Sequence, residues 1–161
     1  MKLLLISNST NAGEEYLRYP LPEIGRFLDG VREIVFVPYA AVTFSYADYE
    51  KKVQARFAEL GIRVRSVHRA ADPAAMIRRA EAICVGGGNT FALARKMQQQ
   101  GLMQAILRRI RAGVPYVGWE GAVERFAVSP EARATIEAQA RRAAVPMTDK
   151  VMDTVKGWWP W

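Results

Sequence analysis

Residues Ala82-Ile-Cys-Val-Gly-Gly-Gly-Asn-Thr90 place a short apolar run directly before three consecutive glycines. The run 82–85 has the length and composition of a buried strand, and residues 91–100 have those of a helix. Glycines at such a junction let backbone amides approach a ligand, and the N-terminus of the following helix favours negative charge. One tight turn does not require three glycines. We therefore predict that residues 86–90 face a ligand, either a phosphate group or the oxyanion of an acyl-transfer reaction.

Two common phosphate-binding motifs are excluded by the residues around these glycines. No Gly-Lys-Ser or Gly-Lys-Thr follows, so the segment is not a P-loop, and the glycine spacing is not that of a dinucleotide fingerprint. The sequence therefore leaves open whether residues 86–90 bind a phosphate group or stabilise the oxyanion of an acyl-transfer reaction.

On both sides of this junction, short apolar runs alternate with stretches of helical periodicity. This alternation predicts an α/β fold whose mostly parallel sheet is covered on both faces, with the loops after the strands along one edge. The further predicted strands are residues 2–6, 33–37, 63–67 and 114–117. The further predicted helices are residues 46–60, 72–80, 102–111 and 14–28, the last with a break near residues 19–22. The loops expected at the ligand-binding edge are residues 7–10, 38–45, 86–90 and 119–121.

Composition narrows the class of protein. The single cysteine, Cys84, excludes an internal disulfide, and with one histidine, His68, no zinc motif is present, so we expect neither a metal nor a cofactor. The net charge of +7 comes from basic residues that are spread along the chain without a nucleic-acid-binding motif, so no nucleic-acid partner is expected. No apolar run approaches the ~20 residues of a membrane span. We expect a cytoplasmic protein.

We interpret Cys84 and His68 as structural residues and not as catalytic ones. Cys84 lies inside a predicted strand and is interpreted as a small buried apolar residue. His68 lies at a strand end and is interpreted as a packing or hydrogen-bonding residue. None of the serines that could replace a nucleophile, Ser7, Ser9, Ser45 and Ser129, has a base assigned to it by the sequence.

The segment Val114-Pro-Tyr-Val-Gly-Trp119 has the pattern of a strand that leads to a nucleophile elbow, but the next residues are Glu120-Gly121. A carboxylate therefore stands where a serine hydrolase would present its hydroxyl. Glu120 could be a general base, a metal ligand or a helix cap, and we interpret it as a capping or solvated residue because no second acid stands at a suggestive spacing.

Several segments of residues 1–119, taken in order and without obvious gaps, resemble the peptidase E family of serine dipeptidases, which cleave peptides with an N-terminal aspartate. The segments are Met1-Lys-Leu-Leu-Leu-Ile-Ser-Asn-Ser-Thr, Val37-Pro-Tyr-Ala-Ala-Val-Thr, Ser66-Val-His-Arg-Ala-Ala-Asp-Pro, Val85-Gly-Gly-Gly-Asn-Thr-Phe and Tyr116-Val-Gly-Trp. The resemblance implies a three-layer α/β sandwich of the class I glutamine-amidotransferase-like type.

The resemblance also implies roles for individual residues. The family's serine, in a Gly-Trp-Ser-Ala-Gly elbow, falls on Glu120, and one residue fewer precedes Gly121 here. The glycine run would supply oxyanion contacts, and the substrate would bind at Gly87, Gly88, Asn89, Thr90 and Trp119. The family's histidine and its acidic partner lie beyond the elbow, where this sequence has no histidine. A catalytically impaired pseudoenzyme is expected, with an aspartyl peptide or another anion as its possible ligand.

The C-terminal part departs from the family. We expect an α/β domain at residues 1–121, shortened to five strands, and a helical tail at residues 122–161 that packs on it. The tail is Ala-rich at residues 130–144 and ends with Trp158, Trp159 and Trp161, which could cover the body or bind a partner. Three functions stay open: an active hydrolase that uses other residues, a non-catalytic anion or peptide binding module, and a truncated or fused gene product without activity.

Overall fold

The computed structural model of the protein describes residues 1–119, in which strands and helices alternate along the chain. The strands are β1 (Leu3–Ile6), β2 (Glu33–Val37), β3 (Arg63–Ser66), β4 (Ala82–Val85) and β5 (Tyr116–Trp119). The helices are α1 (Leu21–Phe27), α2 (Tyr46–Ala58), α3 (Pro73–Arg78), α4 (Thr90–Gln99) and α5 (Leu102–Arg111), and a short 3-10 turn covers Val67–Arg69. All of these elements lie in one compact unit, Met1–Val123, whereas the predicted boundary at residue 121 and the predicted tail lie outside the described residues.

The described strands form a single parallel sheet in the order β1-β5-β4-β2-β3. Strand β5 lies in its interior, where Ile6 of β1 pairs with Trp119 and Val85 of β4 pairs with Gly118. All pairs are parallel, so the carboxyl ends of the strands meet at one edge of the sheet. The predicted α/β class with a parallel sheet is confirmed.

Helices α1 and α2 pack on one face of the sheet. Their buried residues Ile24, Val53 and Phe57 share a core cluster with the strand residues Ile34 and Phe36, and with others from β4 and β5. Because successive strand residues point to opposite faces, the buried alternate residues of the strands form a second core on the other face. Helices α3, α4 and α5 contribute buried side chains there, which gives the three layers of the sandwich.

Helices α2, α3 and α4 each begin where a polar side chain, that of Asn89 for α4, satisfies an otherwise unpaired amide of the first turn. Ser45 accepts a hydrogen bond from the amide of Asp48 at the start of α2, and Asp72 accepts one from Ala75 at the start of α3. Asp72, the first residue of the predicted helix 72–80, is thus the cap that precedes α3.

The predicted helix at residues 14–28 is wrong in its first half. Helix α1 begins only at Leu21, and turns precede it. Leu17 is fully buried with a φ of 53°, and its amide donates to the Ser9 carbonyl at 2.7 Å. The Leu17 amide is thus bonded to the loop after β1 and not to a carbonyl within a helix. Proline fits only into the first turn of a helix, so Pro22 also favours a helix that begins near Leu21.

Strand β5 is displaced by two residues from its predicted position at 114–117. Pro115 has no amide hydrogen, so pairing with β1 begins with the Tyr116 amide, which donates to Lys2 at 3.0 Å. The ladder then continues to Trp119, which brings that residue into the sheet. Within residues 1–119, every helix is too short or too polar to cross a membrane.

Candidate active site

The carboxyl ends of β4 and β5 place two predicted site segments next to each other. Trp119 is the last residue of β5 and is fully buried, while the glycine run follows Val85 at the end of the neighbouring strand β4. Trp119 and the predicted binding residues Gly87, Gly88, Asn89 and Thr90 therefore lie at the same edge of the sheet. Glu120 lies outside the described residues.

The backbone of the glycine run is held at both of its ends. The Gly86 amide donates to the Val37 carbonyl at 3.1 Å, and the Asn89 amide donates to the Ala40 carbonyl at 2.9 Å. Between them, the amides of Gly87 and Gly88 make no backbone hydrogen bond to another residue of 1–119. Two adjacent amides without such bonds are what an anion or an oxyanion requires of a binding loop.

Gly88 occupies a position that other residues could not take. Its φ is +128°, and a Cβ atom there would lie 2.7 Å from the Ala40 carbonyl oxygen. Gly88 is exposed, whereas Gly86 and Gly87 are buried. The loop thus turns from the interior to the surface at the peptide that joins Gly87 and Gly88.

Asn89 has a structural function in addition to its predicted place in the pocket. Its Oδ1 accepts a hydrogen bond of 2.9 Å from the Ala92 amide and caps α4, which begins at the half-buried Thr90. The side chain thereby fixes the end of the glycine run to the helix. Whether Asn89 and Thr90 also contact a substrate stays a prediction.

A cluster of aromatic residues that sequence reasoning did not assign to the site lies beneath the glycine run. Tyr49 of α2 is 3% exposed, and its hydroxyl donates to the Gly87 carbonyl at 3.1 Å. The Trp119 indole and the Tyr16 hydroxyl both donate to the Tyr49 hydroxyl, at 3.1 Å and 3.3 Å. The Phe36 ring lies nearly parallel to that of Trp119, with centroids 6.0 Å apart.

One signal in the sequence could have indicated this function of Tyr49. The spacing of Tyr49, Val53 and Phe57 in the predicted helix 46–60 places them on one apolar face, and the structure buries all three. A tyrosine at a position where phenylalanine would pack equally well needs a hydrogen-bond partner for its hydroxyl. The identity of the partner could not be predicted without the fold.

The interpretations of His68 and Cys84 are confirmed. The His68 Nδ1 lies 2.6 Å from the Ser66 hydroxyl, and burial lowers the pKa of the imidazole from its ordinary value. Cys84 is fully buried, and burial raises the pKa of its thiol. Tyr39 lies in the loop after β2. Burial, with a smaller contribution from the neighbouring Tyr46, raises the pKa of Tyr39 to about 12.

Among the alternative nucleophiles, Ser45 is engaged elsewhere, Ser7 and Ser9 lie in the loop after β1, and Ser129 lies outside the described residues. Ser45 caps α2 and also bonds the Asp48 carboxylate at 2.6 Å, whereas Ser7 is exposed at the end of β1. Ser129 is among the residues that the structure does not describe. In residues 1–119, no group of three or more histidine, cysteine or acidic side chains is arranged to hold a metal ion.

Comparison with known proteins agrees with this architecture. The peptidase family S51 model matches residues 3–127. Peptidase E of Salmonella newport is 44% identical over 119 residues, which cover 74% of this chain and 52% of the relative, and peptidase E of Salmonella heidelberg is 45% identical with the same coverage. The chain spans about half the length of these curated relatives.

Two solved structures share the fold. A peptidase E-type protein from Listeria monocytogenes EGD-e superposes with a TM-score of 0.60 at 23% identity, over 75% of this chain and 59% of that one. A peptidase from an acI-B1 actinobacterium gives 0.59 at 17% identity, over 76% and 55%. At these identities the structures support the fold, while the match of the family model to most of the sequence shows that the chain belongs to peptidase family S51.

Proposed function

We propose that this chain derives from a serine-type peptidase of N-terminal aspartyl dipeptides and that its turnover is strongly impaired. The proposal rests on the identity of the residue that follows β5. Trp119 ends this interior strand, and the sequence continues with Glu120 where the resemblance expects the nucleophilic serine. A carboxylate has no hydroxyl proton to give to a base, and its attack on an amide would produce a labile anhydride in place of an ester.

His68 does not offer the missing base. It follows β3 at one edge of the sheet, and β2 and β4 lie between β3 and β5. Three strand spacings separate β3 from β5, about 14 Å, which is far beyond hydrogen-bond reach. Loss of a nucleophile or base from a catalytic triad reduces kcat by about 10⁴ to 10⁶. Turnover at least about 10⁴-fold below that of an intact relative is therefore expected.

A second function, ligand binding without turnover, is supported by the glycine run. The amides of Gly87 and Gly88 are adjacent and make no backbone hydrogen bond to other described residues, and they lie beside the N-terminus of α4. Both features favour a carboxylate or another anion. An aspartyl peptide is the ligand that the family resemblance suggests.

A hydrolysis assay with Asp-Leu on the purified chain tests the first proposal, with a Salmonella peptidase E as positive control for the assay. We expect turnover at least about 10⁴-fold below that of the positive control from the unmodified chain and from Glu120→Gln, which keeps the size of the side chain and removes its charge. Glu120→Ser should also stay inactive because the base is absent. Turnover by the unmodified chain within about 100-fold of the positive control, abolished in Gly88→Ala, would contradict the proposal.

Calorimetry with the same dipeptide tests the binding function. Saturable binding without hydrolysis is the expected result, and Gly88→Ala should weaken it because a Cβ would meet the Ala40 carbonyl. Asp-Leu binding that is equally strong in Gly88→Ala would show that the ligand does not use the glycine run.

A further inference from the structure

We propose that the Tyr49 hydroxyl sets the direction of the peptide bond between Gly87 and Gly88 and thereby presents the Gly88 amide to an anionic ligand. Tyr49 would be a positioning residue, since it acts through the loop and does not touch the ligand. The inference about the loop geometry stands on the contacts of Tyr49, while its consequence for a ligand rests on the proposed binding function.

The hydrogen-bonding capacity of Tyr49 assigns its proton to the glycine run. An indole nitrogen can only donate, so the Tyr49 oxygen accepts from Trp119 at 3.1 Å. A carbonyl can only accept, so the single hydroxyl proton of Tyr49 goes to Gly87 at 3.1 Å. The Tyr16 hydroxyl, at 3.3 Å, can use the second lone pair. Among the described residues, these bonds assign the hydroxyl proton of Tyr49 to the Gly87 carbonyl.

The direction of the Gly88 amide follows from the planarity of the peptide. In a trans peptide the carbonyl of one residue and the amide of the next point in opposite directions, and the chain has no cis peptide among its described residues. Because Tyr49 is buried and holds the Gly87 carbonyl toward the interior, the Gly88 amide points away from the interior. Gly88 itself is exposed.

An external contact is needed because the glycines do not fix this direction themselves. Glycine populates positive and negative φ about equally, so rotation of this peptide is restricted little by the chain. In the reverse orientation the Gly87 carbonyl would face the ligand and repel an anion. The flanking bonds of Gly86 and Asn89 anchor the ends of the run, and Tyr49 bonds the peptide in its middle.

The close fit of Tyr49 against the loop supports its role. A Cβ added to Gly86 would lie 2.5 Å from the Tyr49 hydroxyl oxygen, so the loop backbone and the hydroxyl are in direct contact. The same hydroxyl accepts from Trp119, the last residue of β5. Tyr49 thus ties the glycine run to the end of β5, the two segments in which the family resemblance places the oxyanion contacts and the elbow.

The test compares Tyr49→Phe with Tyr16→Phe in the full ¹⁵N-labelled chain. Both variants lose one hydroxyl of the same cluster, but only Tyr49 bonds to Gly87. Residual dipolar coupling of the Gly88 amide reports the direction of its N–H bond. We expect one coupling that fits the described geometry in the unmodified chain and in Tyr16→Phe, and an altered or averaged coupling in Tyr49→Phe. An unchanged coupling in folded Tyr49→Phe would overturn the proposal.

Two further measurements keep the test decisive. If Tyr49→Phe does not fold, the unmodified chain decides, because a Gly88 coupling averaged over both directions contradicts a fixed peptide. Titration with Asp-Leu should show affinity about tenfold weaker in Tyr49→Phe, from one lost hydrogen bond, and within about twofold of the unmodified chain in Tyr16→Phe. If the unmodified chain does not bind Asp-Leu, the binding function fails, while the coupling still decides the role of Tyr49.

Discussion

The indole of Trp119 donates a 3.1 Å hydrogen bond to the hydroxyl of Tyr49, a residue 70 positions earlier in the sequence. The bond joins the end of an interior strand to a helix on one face of the sheet, beneath the glycine run. Both side chains are buried, so neither polar group can replace this bond with a water molecule at the surface. The contact therefore contributes to stability as well as to the geometry of the loop.

Trp119→Phe should destabilise the fold by about 2 kcal/mol. The change removes the indole donor and leaves a cavity beside Phe36, which stacks on the indole. Urea unfolding followed by circular dichroism measures the difference. Phe91→Leu is a suitable control because Phe91 is 79% exposed, and it should change the free energy of unfolding by less than about 0.5 kcal/mol. Equal stability of Trp119→Phe and the unmodified chain would contradict this packing.

Two glycine substitutions should have different effects. Gly86→Ala places a Cβ 2.5 Å from the Tyr49 hydroxyl, so it should cost about 1–3 kcal/mol through overpacking. Gly25→Ala places a Cβ 3.0 Å from a terminal methyl of Leu60, a side chain that can rotate, inside helix α1. Alanine gains up to about 1 kcal/mol in a helix, so this variant should be neutral or slightly more stable. Thermal unfolding of both variants checks the contrast, which a stable Gly86→Ala would refute.

Much of the fold could be predicted from the sequence because its strands are apolar runs with clear ends. Strand β4 occupies the predicted residues 82–85, bounded by Glu81 and by the glycines. Helix α5 likewise occupies the predicted residues 102–111, between Gly101 and Ala112. In both cases local composition and tertiary packing favour the same structure, which is why local patterns were sufficient.

The rest depended on contacts between distant segments. The turn before α1 forms because Leu17 bonds to the loop after β1, and no periodicity in residues 14–20 indicates that bond. The contacts of Tyr49 with Gly87 and Trp119 join three segments that are remote in sequence. The glycine run was predicted to bind a ligand, but the residue that orients it belongs to α2 and was visible only after the fold was known.

Asn89→Ala should destabilise the protein by about 1 kcal/mol, because it removes the cap of α4. Asn89→Asp keeps an oxygen that can accept from the Ala92 amide, and its charge is favourable at a helix N-terminus, so its stability should match or exceed that of the unmodified chain. Hydrogen exchange of the Ala92 amide measures the cap directly. Faster exchange is expected in the alanine variant alone, and identical exchange in both variants would exclude the cap.

His68 should make stability depend on pH near neutrality. Burial lowers the pKa of His68 in the folded chain; the charge of Glu50 acts in the opposite direction, and the smaller effect of Arg69 adds to that of burial. The unfolded chain, with an ordinary value of about 6.5, then takes up a proton more readily, so the free energy of unfolding should fall as pH falls below about 6.5. The loss should be complete below the pKa of the folded state.

An NMR titration of the single histidine tests this expectation, together with urea unfolding at a series of pH values. His68→Gln should flatten the pH dependence between pH 7 and the pKa of the folded imidazole. A folded-state pKa above about 6.5 would show that Glu50 outweighs burial, and stability would then rise on acidification.

Cys84 should report the opening of the sheet. It is the single cysteine of the sequence and is fully buried in β4, where burial raises the pKa of the thiol. The thiolate is the reactive form, so a disulfide reagent such as DTNB should label the native chain only when β4 becomes exposed. Labelling should be complete within minutes in denaturant and slower by several orders of magnitude in native buffer. If labelling requires global unfolding, Trp119→Phe should accelerate the native reaction about 30-fold for a loss of about 2 kcal/mol, because the logarithm of the rate follows the free energy of unfolding. Rapid labelling of the unmodified native chain would contradict the burial of Cys84.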